Sequence, residues 1–456
     1  MVPSAFTVVS VTECNLAVAS LSRPLGLCHR ARFESVTPSD WNRVFPATPV
    51  RVINHLYLVL FPPILTTLAA DFDVGLPALG FAMGLQAFVN TTMQLPYGYL
   101  SDNYDRTLTL GLCLGLGAIG AGILALAPTF EWLLVGQVVL GLGIAGHHPA
   151  HFPLLSDATA EGARGQAYSV HGFAGNLGFA TPPVVILGVT ALPGATWRTA
   201  FGLIAATGAV YGVVACYVLA RHVSDEVTRP NPSEAEETDD RATATSRRER
   251  ALAELRALAR APSILALGVV ALIASTAFWG ITSYVVVLME DGYGVAPDLA
   301  SLTLTGMFVA GAVLILLGGS LADRFRPGPV LAGAYVLVGL SVLALASMVV
   351  PPLLAVPLAM LAGSAGSMGG PARDKLADLL STRTDIGRNF AVITIGIMVG
   401  NTVAPPLFGA LIESTGYRET FGLIGAVAVL AAVATVGIVV RYREEIALGA
   451  GVSSGD

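Results

Sequence analysis

Gly98-Tyr99-Leu100-Ser101-Asp102 returns 221 residues later as Gly319-Ser320-Leu321-Ala322-Asp323. The echo extends in both directions. Gly146-His147-His148-Pro149-Ala150 is matched by Met368-Gly369-Gly370-Pro371-Ala372 at an offset of 222. Arg198-Thr199-Ala200-Phe201-Gly202-Leu203-Ile204 is matched by Arg418-Glu419-Thr420-Phe421-Gly422-Leu423-Ile424 at an offset of 220. Pro182-Pro183 and Pro405-Pro406 fall in corresponding blocks. An offset that holds within a few residues over half a chain is the mark of a duplicated bundle.

The repeated unit is apolar. Blocks of about 20 residues, each able to cross roughly 30 Å of hydrocarbon, lie near 51–70, 77–99, 108–127, 132–155, 165–190 and 197–220. Six more lie near 263–289, 298–321, 329–350, 353–380, 388–412 and 418–440. Of the 25 basic residues, 23 fall on one side of the resulting zigzag, and only Arg198 and Arg418 fall on the other. The opposite loops are acidic, with Asp71, Asp73, Glu131, Glu290, Asp291 and Asp298. Basic segments stay inside, so both termini are expected in the cytoplasm. Arg51 is counted here as an inner-surface charge, together with Arg23, Arg30, Arg32 and Arg43.

Composition agrees. The chain of 456 residues is 54% apolar and 12% charged, about half the charge of a soluble domain. Long apolar blocks also exclude an outer-membrane barrel, whose strands alternate in short segments. A net charge of -6 leaves no basic surface for nucleic acid. Four cysteines without metal spacing give no disulfide framework. The expected fold is an all-α membrane protein of 12 transmembrane helices in two pseudo-symmetric six-helix bundles. Its parts are a loose cytoplasmic tail (1–49), a first bundle (50–220), a cytoplasmic linker (221–262), a second bundle (263–443) and a short tail (444–456). The linker, rich in Pro, Glu, Asp, Thr and Arg, cannot bury a core. Its residues 246–260 have the pattern of a basic amphipathic helix.

Gly98-x-Leu100-Ser101-Asp102-x-x-x-Arg106 and Gly319-x-Leu321-Ala322-Asp323-Arg324 resemble the signature loops of the major facilitator superfamily. His147-His148-Pro149-Ala150, with the run from Arg164 through His171 and Asn176 to Phe179, resembles the fosmidomycin resistance branch. That resemblance implies drug export driven by proton exchange. The duplicated signature loops imply a cytoplasmic gate made by Gly98, Asp102, Arg106, Gly319, Asp323 and Arg324. There the glycines would admit close helix approach, the aspartates would accept from backbone N–H groups at a helix start, and the arginines would complete a charge network. Asn103 and Asp105 depart from the family pattern in the first loop, as do Gln137 in helix 4 and the short Thr181-Pro182-Pro183 run in helix 5.

The site candidates follow from what the two halves do not share. His148 and His171 lie at equal depth on adjacent antiparallel blocks, while their counterparts in the second half are glycine and isoleucine. Ionisable groups at that depth face a cavity or a partner, and imidazole titrates near neutrality. Proton coupling, a hydrogen-bonded clasp between helices 4 and 5, and a metal site all remain open for them. A di-iron desaturase is rejected, because it would need more histidine boxes than seven histidines provide. His55 and Asn54 add polarity in the first block, and Gln86, Asn90 and Gln94 form a stripe at i, i+4, i+8. Trp279 and Tyr284 are candidates to pack on substrate from the second half. Asn176 and Asn401 stand in the proline-broken helices, placed to satisfy carbonyls that proline leaves free.

The expected activity is alternating-access secondary transport rather than enzyme catalysis: proton-coupled efflux of small drug-like or anionic organic compounds. A proton-coupled importer of a small organic acid and a non-transporting sensor or scaffold are the alternatives. The expected partners are a small-molecule substrate, protons and the lipid bilayer of the cell membrane, with no nucleic acid. The chain is expected to be a monomer without cofactor or resident metal.

Overall fold

The computed structural model describes residues 47–159, 164–229, 261–381 and 386–453. The N-terminal tail up to residue 46, most of the linker, and the amphipathic stretch 246–260 lie outside the described residues. The described residues are helical throughout, with no strand. In the first half run α1 (Ala47–Leu58), α2 (Leu65–Phe72), α3 (Leu76–Asn103), α4 (Arg106–Leu126), α5 (Phe130–Ala145), α6 (His147–Ala158), α7 (Arg164–Thr190) and α8 (Trp197–His222). A short α9 (Asp225–Thr228) opens the linker. The second half holds α10 (Pro262–Val287), α11 (Pro297–Arg324), α12 (Pro327–Ala346), α13 (Pro352–Leu379), α14 (Ile386–Thr415) and α15 (Tyr417–Arg441), followed by α16 (Arg443–Ser453).

Two of the expected spans are broken, each for a local reason. The first block divides into α1 and α2, which bend by 47°. Pro62 and Pro63 lie between them in a 3-10 turn, where the missing N–H groups and the ring clash stop an α-helix. The fourth block divides at Gly146, between α5 and α6. Pro149 there cannot donate to the Ala145 carbonyl, so it is tolerated only in the first turn of a new helix. Ten described helical spans are long and apolar enough to cross a membrane, and the bent pair makes an eleventh. The twelfth is α3, whose 28 residues suffice for length but whose polar stripe lowers its hydropathy. Apolar side chains face outward where a soluble protein would hide them: Leu126 is 82% and Leu353 84% exposed, as expected of groups solvated by lipid tails.

The halves meet along two seams, α3 against α14 and α7 against α11. In the first, glycines make room. A Cβ on Gly80 would stand 2.5 Å from the Pro405 carbonyl oxygen, and one on Gly84 would stand 2.9 Å from Pro406 Cδ. In the second seam, Thr305 Oγ1 donates to the Ala180 carbonyl at 2.9 Å, and the Phe179 and Phe308 rings lie 4.9 Å apart. Toward the outer surface Thr66 Oγ1 donates to Glu290 across the halves at 2.7 Å. The halves are thus closed on each other at their outer ends. An outer cavity of about 490 Å³ remains there, lined by Asp71, Trp197, Arg198, Glu290 and Asp298 among others.

Candidate functional site

The site is built on α1, α6 and α7 of the first half. Its unit is a group of imidazoles with a single guanidinium. His147 and His151 are one helical turn apart on α6, so they share a face, and His151 Nδ1 lies 3.2 Å from His147 Nε2. His171 of α7 meets that face. Its ring centroid is 4.4 Å from that of His151 and 6.0 Å from that of His147, stacked at 6°. His148 turns toward α1, with its ring 5.9 Å from His55 and 5.5 Å from Phe152. His55 Nδ1 donates to the Arg51 carbonyl at 3.1 Å and its ring reaches Phe179 at 4.6 Å. Through Phe179 the cluster touches the second half, since Trp279 lies 6.1 Å from that ring.

Arg51 completes the group. Its Nη1 donates to His171 Nε2 at 2.6 Å, while its Nε is buried without an acceptor. No carboxylate among the described residues forms an ion pair with it. The helix begins at Ala47, four residues before Arg51, so the guanidinium enters the bundle rather than the inner surface where the charge pattern had put it. Buried Nδ1 atoms of His147 and His148 and the Nε2 of His151 also lack partners. A buried polar atom left unpaired is costly, so several polar atoms of this cluster are available to a further partner.

His55, His148 and His171 are therefore brought together, and so are His147 and His151, which depth alone did not select. The signal for them was present, because positions i and i+4 share a helix face. His147, His151 and His171 can each direct one nitrogen to within 4.8 Å of the others, a spacing compatible with a metal. The guanidinium on His171 opposes a cation there, since like charges repel strongly out of water.

The other expected residues have diverse placements. Asn54 and Gln86 are buried in the first half and donate to the Ile144 and Tyr57 carbonyls at 3.3 and 3.1 Å. Asn90 is buried with its Oδ1 unpartnered. Gln94 Nε2 reaches Met398 Sδ across the halves at 3.3 Å. Trp279 stands at the interface beside Phe278 and Phe179. Tyr284, expected to pack on substrate, is instead 0% exposed, its hydroxyl donating to the Pro405 carbonyl at 2.6 Å. Asn176 donates to the Gly172 carbonyl at 3.3 Å. Pro182 and Pro183 free the carbonyls of Gly178 and Phe179, so Asn176 does not serve either of them. Asn401 is half-buried on α14, and its carbonyl is one that Pro405 leaves free.

At the inner surface the expected helix cap moves by three residues. Asp105, not Asp102, accepts from the Thr107 and Leu108 N–H groups that begin α4, at 2.6 and 2.9 Å. Asp102 is exposed. Asp105 also pairs with Arg229 at 2.7 Å, which raises the Arg229 pKa from its usual value. Arg106 pairs with Asp157 at 2.7 Å and donates to the Val227 carbonyl at 2.8 Å. In the second half Asp323 pairs with Lys375 at 3.1 Å, and Arg324 is exposed. Gly319 has open space where a Cβ would stand, and Gly98 has only ordinary contact with Pro149. Close approach belongs instead to Gly318, which abuts the Met368 carbonyl. None of these contacts joins the two halves, and those with Val227 and Arg229 tie the first half to the start of the linker.

Duplicated bundles, paired seams and a polar cluster at their junction define a membrane transporter fold. The model of the Major Facilitator Superfamily matches residues 48–296 and 267–453, and the chain belongs to that family. It is similar to the protein spinster of Drosophila melanogaster, 24% identical over 32% of this chain and 24% of that protein. It is also similar to the nitrate/nitrite transporter NrtP of Picosynechococcus, 32% identical over 30% of this chain and 26% of that one. The aligned stretches thus span about a quarter of these curated relatives. Among solved structures, a D-xylose-proton symporter superposes with a TM-score of 0.69 at 16% identity, over 87% of this chain and 97% of that one. That likeness concerns the fold.

Proposed function

We propose that this chain is a proton-coupled secondary transporter of small organic anions, working by alternating access. The observation that carries the reading is the imidazole cluster, confined to the first half and joined through Phe179 to Trp279 and Phe308 of the second. Titratable rings at a moving interface exchange protons with whichever side is open. The aromatic wall suits an apolar substrate body. A relative that bears the name of a nitrate and nitrite transporter supports an anionic cargo.

The driving force is sufficient. A proton crossing roughly 150 mV releases about 3.5 kcal/mol, whereas a 100-fold gradient of a neutral solute requires about 2.7 kcal/mol. One titrating imidazole per cycle meets that need for a neutral solute, whereas a monoanion entering with one proton moves no net charge and is driven by the pH difference alone.

Export of drug-like or anionic compounds is the direction implied by the resemblance to the fosmidomycin resistance branch. The second reading is import of a small organic acid together with a proton. The Arg51–His171 contact favours it, because a group that frees His171 from Arg51 also frees a proton acceptor. Purified protein in vesicles, with pH gradients of either sign and a panel of acids, phosphonates and neutral analogues, separates them. Exchange gives solute and proton fluxes of opposite sense, and co-transport gives the same sense. No solute-dependent proton flux for any compound would overturn the proposal.

A further inference from the structure

We propose that Arg51 is the anion anchor of this transporter, and that an oxyanion, carboxylate or phosphonate, binds by replacing His171 Nε2 on the guanidinium. The inference rests on the reading of the chain as a carrier of organic anions and names the group that would hold the charge. Guanidinium is a permanent cation with a planar fork of donors that matches carboxylate and phosphonate oxygens. A permanent charge inside a bundle normally has a partner, and here no carboxylate among the described residues supplies one. One donor is spent on an imidazole at 2.6 Å, a neutral acceptor that gives less than an anion does. Another, Nε, has no acceptor. The side chain is half-buried. It is held in place by α7, whose backbone at Gly175 would put a Cβ 2.7 Å from Nε, and by Phe152, whose ring lies 5.9 Å from the guanidinium carbon.

The titratable groups facing this point are His55 from α1, His147, His148 and His151 from α6, and His171 from α7. All are imidazoles, so among the described residues no resident anion competes with the guest. When the anion takes the guanidinium, its charge is neutralised and the Nε2 lone pair of His171 is released. That nitrogen then takes up a proton from the buffered solvent, and the imidazolium and the anion stabilise each other. Anion and proton bind together, which is what co-transport needs.

The test is calorimetric titration of the full chain in phospholipid-free detergent, with benzoate, phenylphosphonate and the neutral benzamide as probes. It is run in two buffers of different ionisation enthalpy, so that proton uptake is counted. The wild type is expected to bind one or both anions, to ignore benzamide, and to take up about one proton per anion. Arg51→Gln is expected to lose about a hundredfold in affinity, as removal of charged hydrogen bonds does. Arg51→Lys, which keeps the charge if the glutamine variant misfolds, is expected to stay within about tenfold. His171→Asn is expected to bind the anion without proton uptake. Anion binding that Arg51→Gln leaves intact would overturn the assignment, as would stoichiometric Zn²⁺ binding with no anion effect. Anion effects that appear only in nanodiscs containing phosphatidylglycerol would assign the guanidinium to a lipid headgroup and overturn it likewise. Proton-coupled flux of neutral compounds, unaffected in Arg51→Gln, would leave proton-coupled transport standing while removing both this anchor and the anionic cargo.

Discussion

Arg106 and Asp157 are joined at 2.7 Å across the inner ends of α4 and α6, with the arginine side chain 7% exposed and the aspartate 45%. The burden of burial is unequal, and the two partners are therefore not equivalent under mutation. Asp157→Asn leaves a buried guanidinium with the Val227 carbonyl but no counter-charge, whereas Arg106→Gln leaves a carboxylate that water can solvate. Asp157→Asn is expected to cost about 1–3 kcal/mol and to lower the melting temperature more than Arg106→Gln does. Equal losses in thermal melts of the two purified variants would contradict this unequal sharing.

His148→Ala and His171→Ala are expected to abolish solute-dependent proton flux while leaving the helices folded. The check is a pH-sensitive dye inside reconstituted vesicles, alongside circular dichroism. Unchanged flux in both variants would remove these rings from the mechanism. His151→Ala and His147→Ala extend the test to the face that packs on His171.

Asp323→Asn addresses the second signature loop. Its ion pair with Lys375 is exposed, the aspartate at 78%, so the stability change is expected to stay under about 1 kcal/mol. Its expected effect is on gating: faster labelling of a cysteine introduced in the pore from the inner side. Labelling at the wild-type rate would refute a gate role for Asp323.

Gly84→Leu tests the closed outer end. The Thr402 carbonyl and Pro406 Cδ both lie 2.9 Å from the Cβ that any side chain would bring. The wedge is expected to part α3 from α14 and to speed labelling of a Thr66→Cys probe from outside. A tenfold increase corresponds to a shift of about 1.4 kcal/mol between the two states. An unchanged rate would show that this seam does not limit outer access.

The duplicated architecture was open to reading because it rests on features that sequence carries linearly: block length, charge sidedness and a constant offset. The site was legible by half. Depth arithmetic brought His148 and His171 to one level, but rotation about α6 decides which rings touch, and it favoured His147 and His151. The apolar block that begins at Arg51 makes it an inner-surface charge by sequence, whereas the helix starts a full turn earlier at Ala47. Cap geometry misled in the same way. Asp102 and Asp105 are three residues apart, and only the place where the chain leaves α3 decides which one reaches the N–H groups of α4.

The two seams descend from one ancestral contact, yet they are made differently. An offset of 221 carries Gly84 onto Thr305: the glycine nests against a carbonyl, while the threonine donates to one. A nested contact slides with little penalty until it clashes, whereas a directional bond holds and then gives way. Under the proposed alternating access, the swing of one half against the other is expected to be lopsided, slipping at Gly84 and unlatching at Thr305, beside the aromatic bridge that reaches the histidines.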